Sequence, residues 1–269
     1  MFKRLCMRTI SIVIVGVVTT SIAMVASRAG RDDTCIGQFC YCVNTDLREL
    51  IDQRVVYIRS LVAKEKARRK AIGYISIPLT TVEGSGSYQP VNDEVAGEVK
   101  RTVEARFGSK DAWLLNPAAS DFSLPKGEAN GADYMLMWTQ VLEGADRLGN
   151  DFDFVYFAGP SDFARYFGLS GRADMEKLGE YYDRRKKTDP DLKVDRALFQ
   201  KYYAFRASVA FSYGSHDEWN IVRAINERRR ADKEAGLANQ LGVFFDGKAV
   251  SPEAFETSIT AGKSGKCPK

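Results

Sequence analysis

A chain of 269 residues, 45% of them apolar, has the composition of an ordinary globular protein with one sizeable core or two small ones. Its formal charge is +4, but four of the 39 basic residues (Lys3, Arg4, Arg8 and Arg28) precede Gly30, which leaves 35 against 35 acidic ones. That balance excludes a nucleic-acid binder built on bulk charge, and no nucleic-acid partner is expected.

Basic residues at the N-terminus are followed by an uncharged stretch from Thr9 to Ala26 and by the small residues Ser27, Ala29 and Gly30. This is the pattern of a secretory signal over residues 1–29. About 18 residues at ~1.5 Å rise span roughly 27 Å, so an uncleaved anchor, holding the membrane through residues 9–26, fits as well. Under either reading the rest of the chain is exported, periplasmic or otherwise extracytoplasmic.

Residues 30–70 form a cysteine-containing segment and an amphipathic helix. Beyond Cys6 the chain has four cysteines: Cys35, Cys40, Cys42 and Cys267. An even number in an oxidising compartment predicts disulfides, with a bond from the Cys35/Cys40/Cys42 cluster to Cys267 tying down two otherwise loose ends. The alternatives are free or lipid-modified thiols and a metal site; the latter lacks a nearby fourth ligand, since the single histidine, His216, is remote in sequence, so no metal is expected. From Asn44 or Thr45 to Lys70, Leu47, Ile51, Val55, Ile58 and Val62 recur at helical spacing. The basic run Lys64 to Lys70 suits the negative end of a helix dipole, and also suits an anionic partner.

Residues 71–269 read as an α/β domain. Ala71 to Leu79 is a strand stopped at Pro78, followed by a hydroxyl-rich loop. A helix from Val91 to Phe107 ends at Gly108, Trp113–Leu115 is a second strand closed by Asn116-Pro117, and Ser120 to Asn130 is irregular. Another helix covers Ala132 to Glu143, and Phe152 to Ala158 is a continuously apolar third strand, as expected of a sheet covered on both faces. Gly159-Pro160-Ser161-Asp162 turns into a helix that Ser161 is placed to cap. A helical pattern covers Ala173 to Lys187, and the alternation in Tyr202 to Tyr213 predicts a strand. Ser215-His216-Asp217-Glu218 reads as a capping box that opens a helix through Arg230 and leaves His216 at the surface. Leu241 to Phe245 is a strand, Asp246-Gly247 a tight turn, and Ser251-Pro252-Glu253 a helix start. Strands alternating with helices predict a three-layer, Rossmann-like parallel sheet with right-handed crossovers.

In such sheets ligands bind at the carboxyl ends of the strands. Three loops meet that description, and they offer Pro78, Thr80, Thr81, Ser85, Ser87 and Glu83, then Asn116, then Gly159, Ser161 and Asp162. Hydroxyls, an amide and helix-capping groups suit a phosphate or a sugar, while the plainer roles are helix capping and solvated loop. Neither GxxxxGK[ST] nor a GxGxxG after the first strand occurs, so no nucleotide cofactor is expected. A nucleophile elbow is also missing, because Gly159-Pro160-Ser161-Asp162-Phe163 lacks its last glycine. Glu83, Asp153 and Asp162 are the candidate catalytic carboxylates, able to act as nucleophile at a sugar carbon. Tyr181, Tyr182, Tyr202 and Tyr203 suit a ring-binding wall or a packed core.

The segment Tyr74-Ile75-Ser76-Ile77-Pro78-Leu79-Thr80, the Asn116-Pro117 strand end, the aromatic helix start at Tyr134 and Trp138, and the Asp-led strand Asp153–Phe157 occur in that order. Over about residues 72–167 this resembles the nucleoside 2-deoxyribosyltransferase-like group, whose opening strand and loop read Y-[IL]-A-G-P-x-T. The resemblance implies a small Rossmann-type domain, nucleoside or nucleotide binding and glycosidic-bond chemistry. Ile77 stands where the family has glycine, and the E-x-G-x-A helix that carries the family's nucleophilic glutamate has no counterpart by pattern; Glu176-Lys177-Leu178-Gly179 does not restore it. Two functions therefore fit the sequence. One is an exported domain binding a small polar or phosphorylated ligand; the other is a non-catalytic cell-envelope interaction protein that uses the basic helix as a stalk.

Overall fold

The computed structural model describes residues 30–79, 86–231, 240–251 and 265–268. The predicted signal or anchor segment, Thr80, Thr81, Glu83, Ser85 and the helix start after Ser251 lie outside these residues. Among the described residues no helix is long and apolar enough to cross a membrane.

The cysteine segment is a β-hairpin, β1 (Arg31–Ile36) and β2 (Phe39–Asn44), paired antiparallel with Cys35 opposite Cys40. Phe39, Tyr41 and Val43 alternate inward and are buried, while Cys40 and Cys42 occupy the other face. Two disulfides result, Cys35–Cys40 within the hairpin and Cys42–Cys267 to the C-terminal segment. The cluster is thus joined to Cys267 as expected, and the two bonds point to an oxidising environment. Gly265 donates its N–H to the Cys40 carbonyl and Cys267 its N–H to Asp33, so the chain end lies along the hairpin.

Asn44 caps a short 3-10 turn, and α1 (Arg48–Ala67) follows with Ile51, Val55, Ile58 and Val62 buried. The strands β3 (Ala71–Ser76), β4 (Ala112–Leu115), β5 (Phe154–Phe157) and β6 (Gly242–Phe245) are parallel in the order β4-β3-β5-β6, and the two-residue β7 (Lys248–Ala249) adds an antiparallel edge. Between them come α2 (Gln89–Phe107), α3 (Gly131–Glu143), and the helices α4 (Pro160–Phe167), α5 (Asp174–Thr188), α6 (Arg196–Phe205) and α7 (Tyr213–Ala231), all inserted between β5 and β6.

The sheet is covered on both faces, which makes the fold a Rossmann-like α/β sandwich. Ile72, Tyr74, Val155 and Phe157 face a core shared with the hairpin, α1, α3 and α7; Ile75, Ile77, Phe154 and Tyr156 face one shared with α2, α4, α5 and α6. The free edge of β4 is closed by α2 side chains: Glu104 accepts from the Leu114 N–H at 2.9 Å, and Lys100 donates to the Leu114 carbonyl at 2.7 Å. Both groups that would pair with another strand are thereby occupied.

Three expectations are corrected. Tyr202–Tyr213 is not a strand: Asp195 caps α6 by accepting from the Ala197 and Leu198 N–H groups, and Phe199, Tyr202 and Tyr203 take the buried i, i+3, i+4 stripe. A 3-10 turn at Val209–Phe211 then carries the chain over the carboxyl edge of the sheet, with the Val209 N–H bonded to the Ala158 carbonyl. Ser215–Glu218 does not cap α7, since the helix starts earlier and Ser212 Oγ accepts the Ser215 N–H. Ser161 does not cap α4 either: Gly159 is the N-cap, and Asp162 reaches back to accept its N–H.

Candidate functional site

β3 leads to its neighbour β4 on one side and β5 to β6 on the other, so the strand order reverses between β3 and β5, the kind of switch point at whose carboxyl ends open α/β sheets bind ligands. β3 ends at Ser76, and its side faces α7 because residues 72, 74 and 76 share one face of a pleated strand. From α7, the Glu218 carboxylate accepts hydrogen bonds from the Tyr74 and Ser76 hydroxyls, one on each oxygen. Tyr74 and Ser76 are fully buried and Glu218 is 5% exposed.

A buried carboxylate pays heavily for ionising. Burial pushes the Glu218 carboxyl from 4.5 up to about 7; the Ser76 and Tyr74 hydroxyls pull it down, and the neighbouring Asp217 raises it further. The Tyr74 phenol is driven well above its ordinary value by burial and by Glu218. Two more polar atoms lie buried on the same first turns of α7 without a hydrogen-bond partner among the described residues, Ser215 Oγ and His216 Nδ1. His216 is half-buried rather than fully at the surface, and burial lowers its imidazole, favouring the neutral form that can accept or donate. The arrangement can therefore present a carboxylate poised to exchange a proton near neutrality or to attack an electrophilic carbon.

The second cluster lies one strand away. Asp162 is 1% exposed and accepts from Tyr156 Oη at 3.0 Å, from the Gly159 N–H at 3.0 Å and from Arg165 at 3.0 Å. Burial raises its carboxyl and these donors oppose the rise. Asp246, from the β6–β7 turn, accepts from both the Ser161 N–H at 2.9 Å and Ser161 Oγ at 2.8 Å. A carboxylate of the protein thus already occupies the anion-attracting end of α4.

The residues singled out in the sequence divide accordingly. Pro78 is buried just beyond β3, and Asn116 sits at the end of β4, where its Oδ1 closes a turn by accepting the Ala118 N–H. Gly159, Ser161 and Asp162 are at the end of β5, so all these belong to the carboxyl edge. Asp153 does not: it lies at the amino end of β5, where its carboxylate accepts the Ile72 N–H at 2.7 Å and its backbone joins Ile72 and Gly242. The length of the strand, about 13 Å, separates it from the carboxyl edge. Tyr181, Tyr182, Tyr202 and Tyr203 pack around Phe199, with ring centroids 4.5–6.1 Å apart for the three of them that touch it. The capping-box letters of Ser215–Glu218 mask Glu218 in the sequence; the signal for it there is a glutamate on the apolar side of a helix, beside Trp219, Ile221 and Val222.

Comparisons with protein-family models, with curated proteins and with solved structures found no match to this chain.

Proposed function

We propose that this is an exported protein that binds a small sugar-bearing ligand, a nucleoside or nucleotide, at the carboxyl ends of β3 and β5, and that Glu218 acts on its glycosidic carbon. The observation that carries the reading is the buried Glu218 carboxylate, held by Tyr74 and Ser76 at the switch point of the sheet. Glu218 supplies on α7 the carboxylate that the resemblance to the deoxyribosyltransferase-like group calls for, and its two hydroxyl donors come from the Tyr74-Ile75-Ser76 segment that carries that resemblance. Burial raises its carboxyl to about 7, into the range where an ionised, nucleophilic form is accessible at neutral pH. The two disulfides support export, with residues 1–29 as signal or anchor.

A thermal-shift screen of the full chain against nucleosides, nucleotides and sugar phosphates tests the reading, because a ligand that binds only the folded state raises its stability. The expected result is a shift from one of these classes that survives in Glu218→Gln, together with release of free base by the wild type and none by the variant. No shift from any class would return the function to an interaction protein of the cell envelope.

A further inference from the structure

A second concave site lies on the opposite face of the sheet from Glu218. An open cleft of about 320 Å³ runs between the start of α4, the loop after it and the end of α6. Its lining is mixed: Ala164, Leu169, Tyr203 and Phe205, which is 72% exposed, supply apolar surface, and Ser161, Ser170 and Asp174 supply polar surface. Tyr203 turns its hydroxyl away, to Asn92 and Tyr88, so only the ring is offered.

The start of α4, with Ser161, also lines the cleft, and its anion-attracting end is already taken by Asp246; the other charged and dipolar groups there are electronegative. Asp174 lines it, with its carboxylate fixed by the Ser170 N–H at 2.8 Å and the Gly171 N–H at 2.9 Å. A carboxylate has about four acceptor positions, so two such bonds orient it and leave capacity for a ligand. The cleft also borders the carboxyl end of α6, the negative end of that helix. The Tyr202 carbonyl there takes the N–H groups of Arg206 and Ala207, while those of Tyr203, Ala204 and Phe205 receive no backbone N–H among the described residues. No lysine or arginine lines the cleft. The Lys177 ammonium, beside the lining residue Ser170, donates to the Gly168 carbonyl at 2.8 Å and to Ser170 Oγ at 3.4 Å.

A cleft with aliphatic and aromatic surface, an oriented carboxylate, helix-end carbonyls that receive no backbone N–H among the described residues and no lysine or arginine in its lining is complementary to one ligand class. We infer that the cleft binds a small organic ammonium ion, its alkyl or aryl part against Ala164, Leu169 and Phe205 and its charge at Asp174 and the end of α6. Phe205 adds the attraction of an aromatic face for a cation. This site is independent of the Glu218 reading.

The test is saturation-transfer NMR on the full chain with n-butylamine, n-butanol and butyrate, three probes of nearly equal size and different charge. Ala164→Leu fills the slot and Phe205→Ala opens its mouth; melting temperatures matching the wild type establish that both remain folded. The expected result is transfer to butylamine about two- to fivefold stronger than to butanol, with none to butyrate, and loss of the butylamine signal in both variants. Equal signals from the three probes, no signal from butylamine, or a butylamine signal that persists in either folded variant would overturn the inference.

Discussion

Replacing Glu218 by glutamine tests the candidate site through stability alone, before any ligand is known. The folded protein holds the Glu218 proton up to about pH 7, whereas the unfolded chain releases it near 4.5. Between those values the folded state binds more protons, so this group's contribution falls as the pH rises through the window. The span corresponds to about 3 kcal/mol, absent below pH 4.5 and fully exacted above pH 7. Glutamine has nearly the same shape and no charge to bury, and because Tyr74 and Ser76 are hydroxyls they can accept from its amide as readily as donate to its carbonyl. The variant should therefore be more stable than the wild type at pH 8 by up to about 3 kcal/mol, equivalent to roughly 6–12 °C in melting temperature for a domain of this size. At pH 4.5 the two should melt within about 2 °C of each other. Thermal melts followed by circular dichroism at both pH values decide it. A change that is destabilising and equal at the two pH values would refute the argument, since it would make Glu218 an ordinary member of a structural network. A gain in stability on losing a buried charge is the mark of a group retained for a purpose other than folding.

Further outcomes follow from the same geometry. Ser76→Ala removes one of the two donors that favour the Glu218 anion, so its titration, followed by carboxyl carbon NMR, should move to still higher pH; a downward move would show that Ser76 does not stabilise the anion. Replacing Cys42 and Cys267 by serine opens a loop with a sequence separation of 225, against 5 for Cys35 and Cys40. The chain-entropy relation gives losses of about 5 and about 2 kcal/mol, so urea midpoints should fall much further for the first pair than for the second. Gly159→Ala places a methyl group 2.3 Å from the Asp246 Cβ, which must withdraw from Ser161. A loss of about 2 kcal/mol in urea unfolding is expected, and an unchanged midpoint would mean that Asp246 does not hold the start of α4.

Most of the elements were legible in the sequence because they rest on local patterns. Helix α1 announces itself through Ile51, Val55, Ile58 and Val62, α2 ends at Gly108, β5 is a continuously apolar run, and Asp246-Gly247 turns β6 into β7, with both residues at positive φ. The parallel sheet and the bond from the cysteine cluster to Cys267 were expected on the same grounds. Where a local pattern admitted two readings, packing decided between them. YYAFRASVAFSY alternates well enough for a strand, but Asp195 caps a helix ahead of it and Phe199, Tyr202 and Tyr203 bury one side of that helix. Ser215-His216-Asp217-Glu218 has the letters of a capping box, but Ser212 had already opened the helix, and Glu218 was turned inward beneath β3.

The candidate site shows the division most sharply. Composition, the uncharged N-terminal stretch and the strand-helix alternation determined by themselves what kind of chain this is and which edge of its sheet to inspect. They did not place Asp153 at the wrong end of β5, give Ser161 to Asp246, or bring Glu218 to Tyr74 and Ser76 across more than 140 residues of sequence. Periodicity records how a residue sits in its own helix or strand, which is set by its near neighbours. The partner of a buried polar group is set by which strand ends and helix faces the topology brings together, and only the assembled sheet, with its switch point between β3 and β5, supplied that.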